Sequence, residues 1–206
     1  MTSIASRIAA LTSRRQTFDF SGGTLPTGTT LTRASSGYRY NSSGVLVSET
    51  TNVARFHYAP VALTARGLLV EGAGTNALTY SEDFSNAAWT KTQTTITADA
   101  VAAPDGTTTA DALVENSATA GHNTARAPTY LNATSYVHAV YAKQDTRTWL
   151  YLYIDPGRFG TGGYTYFNLA TGAIGTTPAG ITAYMTLEAN GFYRCVAIAT
   201  TTSAGG

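Results

Sequence analysis

Between Trp149 and Ile154 the chain reads Trp-Leu-Tyr-Leu-Tyr-Ile, aliphatic at every even position and aromatic at every odd one. Only an extended strand sends alternate side chains to opposite faces, so this segment is a strand with two different surfaces. Leu150, Leu152 and Ile154 suit a core. Trp149, Tyr151 and Tyr153 load the other face with large rings. The same alternation recurs where Phe192, Arg194, Val196 and Ile198 interleave with Tyr193, Cys195, Ala197 and Ala199. Further strands are expected at 88–98, 109–115, 136–142, 148–154, 163–169, 181–188 and 192–201, separated by loops holding Gly, Pro, Asn or Asp. Strands at this spacing predict an all-β fold, an antiparallel β-sandwich of the jelly-roll kind.

Composition agrees. The 206 residues include 37 Thr, 13 Tyr and 20 Gly, while only 12% are charged. Thr and Tyr favour pleated surfaces. With 43% hydrophobic residues the chain is not of the disordered class. A formal net charge of +1 argues against an electrostatic grip on nucleic acid. No apolar run approaches the roughly 18 residues of a membrane span. Cys195 is the one cysteine, so no intrachain disulfide can form.

Three regions are expected: 1–15, 16–75 and 76–206. In the first, Ile4, Ile8 and Leu11 fall at helical spacing, predicting a short amphipathic α-helix. A helix this short is marginal alone. It either packs on its own domain or anchors the chain in a larger assembly. In the second, Tyr38-Arg39-Tyr40 and Val45-Leu46-Val47 flank Asn41-Ser42-Ser43-Gly44, a hairpin signal. Short strands at 55–58 and 67–70 complete a turn-rich β arm that must lean on a neighbour, because such pieces bury little area. Residues 1–75 carry seven Lys and Arg against three Asp and Glu; residues 76–206 carry six against nine. The arm is thus about +4 and the remainder about −3, an excess scattered over many residues.

Several motifs follow one another in a shared order. They are Arg66-Gly67-Leu68-Leu69-Val70-Glu71, Thr75-Asn76-Ala77-Leu78 and Tyr80-Ser81-Glu82-Asp83-Phe84-Ser85-Asn86-Ala87-Ala88-Trp89-Thr90. Then come Pro104-Asp105-Gly106-Thr107-Thr108-Thr109-Ala110-Asp111, Val140-Tyr141-Ala142-Lys143, Phe167-Asn168-Leu169-Ala170-Thr171-Gly172 and Gly191-Phe192-Tyr193-Arg194-Cys195. Upstream stand Leu31-Thr32-Arg33-Ala34-Ser35 and Asn52-Val53-Ala54-Arg55-Phe56. Together they resemble bacteriophage virion proteins of the head-spike, head-fibre and tail-fibre type, which carry a jelly roll similar to carbohydrate-binding modules. The resemblance spans most of 18–201 and excludes the N-terminal helix. It implies a β-sandwich on a phage particle; with the helix and arm as anchor to capsid, portal, adaptor or tail proteins, the chain is expected to be a non-enzymatic structural component projecting from the particle surface. It also implies a homotrimer and host attachment. In such proteins another strand usually follows the one at 193–200, so a neighbouring subunit or a continuing fibre is expected to supply it.

Each candidate site has an ordinary alternative. Trp149, Tyr151 and Tyr153 could stack on the rings of a host-surface glycan, or lie buried under the arm or in a subunit interface, the commoner fate of such rings. Trp89 reads as a core plug. Glu82 and Asp83 are weak Ca²⁺ candidates, because related jelly rolls sometimes hold that ion near this strand; solvated turn carboxylates are the simpler reading. His57, His122 and His138 lack zinc-ligand spacing. Cys195 alternates into a strand face and reads as an inert buried thiol. A polysaccharide depolymerase would need two carboxylates facing across a groove, and no pair is nominated. No cofactor is expected.

Overall fold

The computed structural model describes residues 18–205. The expected helix bearing Ile4, Ile8 and Leu11 lies outside the described residues. The rest is mostly antiparallel β structure. The arm contains β1 (Gly37–Tyr40), β2 (Leu46–Glu49), β3 (Phe56–Tyr58) and β4 (Ala65–Leu68), paired as two hairpins. Then come β5 (Thr90–Thr92), β6 (Thr94–Ala102), β7 (Thr108–Glu115) and β8 (Asn123–Ala125). The remainder holds β9 (Ser135–Ala142), β10 (Trp149–Ile154), the one-turn helix α1 (Pro156–Phe159), β11 (Gly163–Asn168), β12 (Ala173–Ile174), β13 (Thr182–Leu187) and β14 (Tyr193–Thr200).

Two three-stranded sheets, β10-β11-β12 and β13-β14-β9, face each other. Phe167, Leu169, Leu150 and Leu152 come from the first sheet and its following turn. They meet Cys195, Val140, Ala183 and Met185 from the second. At the other end Ile154 and Phe159 pack with Tyr130, Ile181, Ala197 and Ala199. Rings of Tyr130, Tyr136, His138 and Phe159 interlock there, Tyr130 and Phe159 edge-to-face at 5.1 Å. Phe167 and Ile154 are fully buried, each contributing on the order of 1.5–3 kcal/mol by area.

β14 is paired on both sides, so β13 and β9 form the edges of its sheet. Its middle is buried on both faces, because Cys195, Val196 and Ala197 are all inaccessible. The arm supplies part of the outer cover. Tyr40 of β1 sits against Tyr141 of β9 and Glu188, which follows β13. The Tyr40 hydroxyl and Glu188 Oε2 are both buried, yet neither makes a hydrogen bond of normal geometry. Residues 201–205 fold back: Gly205 pairs with Tyr130, and the buried Thr201 hydroxyl donates to Leu131 O at 2.5 Å.

Local chemistry explains the turns. Asn41 Oδ1 accepts from the amides of Ser43 and Val45, closing the first hairpin. Gly44 there has φ 73°, and a Cβ would stand 2.3 Å from Pro60 O. Asp155 caps α1 by accepting from Gly157 N, with Pro156 at the first helical position. The single strand expected at 88–98 is instead two, because Gln93 takes a left-handed conformation (φ 52°). β5 then pairs with β8 and β6 with β7. Asp111 ties this region together, accepting from Phe84 N and from Asp99 N beside the irregularity in β6.

Candidate functional site

The outward face of β10-β11 is built from the two strands' alternation. Because Leu150, Leu152 and Ile154 enter the core, Trp149, Tyr151 and Tyr153 must turn out. Register places Tyr166 opposite Tyr151 and Tyr164 opposite Tyr153. Trp149 is 53% exposed, Tyr153 49%, Tyr164 48% and Tyr166 37%, while Tyr151 is half-buried between them. Tyr40 of the arm sits against the opposite sheet, so within the single chain these rings are not buried beneath the arm; burial in a subunit interface is the alternative that stands.

The five rings form one surface. Tyr151 and Tyr164 meet edge-on at 5.0 Å, and Tyr153 and Tyr164 lie 5.1 Å apart at 42°. Tyr166 adjoins both Tyr151 and Tyr164 at 6.1 and 6.2 Å. Trp149 crosses β11 toward the residue after β12: a Cβ on Gly175 would stand 2.9 Å from Trp149 Cζ3 and 3.2 Å from Tyr166 Cβ. The hydrogen bonds Gly175 N to Tyr166 O and Tyr166 N to Thr176 O hold that seat in place.

The outward positions of β10 and β11 are Trp149, Tyr151, Tyr153, Tyr164, Tyr166 and Asn168, none of them charged. Asn168 spends its carbonyl oxygen on the amides of Ala170 and Thr171. Beside Tyr151, both its hydroxyl and Asn123 Nδ2 lie 4.0 Å from where a Cβ on Gly121 would stand. Burial raises the Tyr151 pKa above the ordinary phenol range, and the Asn123 contact opposes that rise. Arg147 and His122 both partner Glu115. Arg147 grips the Glu115 carboxylate through Nε at 2.6 Å and through Nη2, and His122 lies 3.6 Å from the same carboxylate. The Arg147 hydrogen bond holds the Glu115 pKa below the usual carboxylate range.

Such a face can do one kind of chemistry well. Aromatic rings present apolar, polarisable surfaces, and phenol hydroxyls can both donate and accept. The face's outward positions on β10 and β11 carry no carboxylate.

The other nominated residues lie elsewhere. Asp83 Oδ1 accepts from Ser85 Oγ at 2.6 Å and Asn86 N at 3.1 Å, a turn-capping role; the Ser85 bond lowers its pKa. Glu82 is exposed beside it. Among the described residues no cluster of three or more His, Cys, Asp or Glu could hold a metal ion. Trp89 is buried, its Nε1 donating to Tyr80 O at 2.8 Å and its ring 4.8 Å from Phe84. Cys195 is fully buried, and burial pushes its thiol pKa up to about 12. His57 accepts from Tyr40 N through Nδ1, His122 adjoins Glu115, and His138 sits in the core. Tyr164, Tyr166 and Gly175 join the site without having been nominated. The two tyrosines carried a signal, since they flank Thr165 at strand spacing; Gly175 carried none.

Among the described residues no helix is long and apolar enough to cross a membrane. No family model, curated protein or solved structure matches the chain.

Proposed function

We propose that this chain is a non-enzymatic recognition module that binds saccharide on the outward face of β10-β11. One observation carries the reading: four mutually contacting tyrosines and the neighbouring Trp149 form an uncharged, largely accessible surface on paired strands. A sugar ring is apolar on its C–H faces and polar at its rim. Stacking plus phenol hydrogen bonds meets both demands. Rings held by paired strands lose little freedom on binding.

The setting we propose is the surface of a phage particle, as a head or tail fibre or spike, with the N-terminal segment as attachment and a homotrimer as the assembly. This rests on the motif resemblance across 18–201. The two facing sheets are, on this reading, the core of a jelly roll. Adhesion to a host envelope would then be the role of the aromatic face. A depolymerase activity has no support, since the face lacks a carboxylate.

The test is binding of the purified chain to a printed array of bacterial envelope oligosaccharides, beside Trp149→Ala and Tyr153→Ala. Signal lost in both variants, with melting temperature unchanged, supports the reading. Signal that survives both substitutions removes the aromatic face from it. Imaging the intact particle by electron microscopy tests the setting.

A further inference from the structure

We infer that the aromatic face takes an uncharged saccharide chain of several rings, lying along β10-β11, in preference to a single sugar or an acidic polymer. The inference rests on the saccharide reading above and adds the class of ligand.

Length comes from the strand. Trp149 and Tyr153 are four residues apart on β10, about 13 Å at roughly 3.3 Å per residue. One sugar ring is too small to touch both. The Trp149 station rests on its Gly175 seat, and the other pairs Tyr153 with Tyr164. Tyr151 and Tyr166 fill the interval.

Relief comes from ring tilt. Tyr151 stands at 88° to Tyr164 and at 63° to Tyr166. Neighbouring rings turned this steeply to one another make a corrugated face. It suits a single flexible chain threaded across the ridges, and a flat crystalline polysaccharide surface would touch only the crests.

Charge comes from what surrounds the rings. No outward residue of β10 or β11 is ionic, and the nearby Arg147 is already engaged by Glu115. A uronate or phosphate would shed water here without gaining a counter-charge. A polar group adjoining the rings is the neutral amide of Asn123, beside the Tyr151 hydroxyl. It suits a sugar hydroxyl.

The experiment uses the full chain on an array of neutral, uronate-bearing and phosphorylated oligosaccharides of one to six rings, at 50 and 500 mM NaCl. The inference expects binding to neutral chains, at least tenfold tighter at four rings than at one. It also expects less than a twofold change with salt, because no ion pair is there to screen. Asn123→Ala should weaken binding severalfold at unchanged stability. Preference for acidic glycans, or affinity that collapses with salt, overturns the inference and leaves the saccharide reading standing. So does equal affinity for one ring and four. Absence of any saccharide binding overturns the reading itself, and the inference with it. The same holds if the face mediates self-association, seen as sedimentation that depends on concentration and is abolished by Trp149→Ala.

Discussion

Trp149 lies over Gly175 so closely that a Cβ at position 175 would stand 2.9 Å from Cζ3 of the indole. Glycine is required here for close approach. Gly175→Ala is expected to lift the indole from its seat. Trp149 fluorescence should shift and become more readily quenched by iodide, while buried Trp89 stays silent. Saccharide affinity should fall about tenfold, roughly 1.4 kcal/mol. An unshifted Trp149 signal in the variant would show that the seat does not position the ring.

Thr165 and Thr201 make a matched pair of buried hydroxyls with opposite accounts. Thr165 is fully buried on β11 and its Oγ1 has no hydrogen-bond partner. Thr201 Oγ1 donates to Leu131 O and accepts from Thr134 N. Thr165→Val is expected to leave stability unchanged or raise it by up to about 1 kcal/mol, whereas Thr201→Val should cost about 1–3 kcal/mol. Urea unfolding of the two variants checks the contrast.

Burial lowers the pKa of His138 below its ordinary 6.5. His57 is shifted the same way, chiefly by burial. The unfolded chain therefore binds protons that the folded chain refuses. Stability is fully present above about pH 6.5 and declines as pH falls toward the folded-state values. His138→Phe, which keeps a ring against Tyr130 and Phe159, should flatten the decline below pH 6.5. Thermal melts across that window would expose an undiminished slope if the assignment were mistaken.

The Tyr40 ring is expected to contribute more to the arm's seat than its hydroxyl, which lies against Glu188 and Tyr141. The ring is buried 5.8 Å from His57, and the hydroxyl lacks a normal hydrogen bond. Tyr40→Phe should cost no more than about 1 kcal/mol. Tyr40→Ala should cost about 3 kcal/mol and open residues 37–58 to limited proteolysis. Equal protease resistance in both variants would mean the arm is held elsewhere.

Strand positions were legible because alternation and turn chemistry are local. The segments at 136–142, 148–154, 163–169 and 192–201 correspond within a residue or two to β9, β10, β11 and β14. Asn41 and Gly44 likewise announce the first hairpin through their own side-chain and backbone preferences. Pairing is not local. Sequence could not say that β14 lies between β13 and β9, nor which sheet the arm touches. That second fact decides whether Trp149 lies under the arm. Gln93 broke an expected strand because a non-glycine left-handed residue leaves no compositional mark. Of the site, Trp149, Tyr151 and Tyr153 followed from one strand's pattern. Tyr164 and Tyr166 needed the register of a second strand, and Gly175 needed the coordinates of an indole.

The most direct test watches the two indoles at once. The Trp149 ring is exposed on the aromatic face, and the Trp89 Nε1–H is bonded to Tyr80 O inside the protein. In a ¹⁵N-labelled sample titrated with envelope oligosaccharides, the saccharide account expects the Trp149 indole resonance to shift and saturate while that of Trp89 holds still. Binding that moves resonances of the arm or of β6-β7, and leaves the Trp149 indole in place, would contradict it.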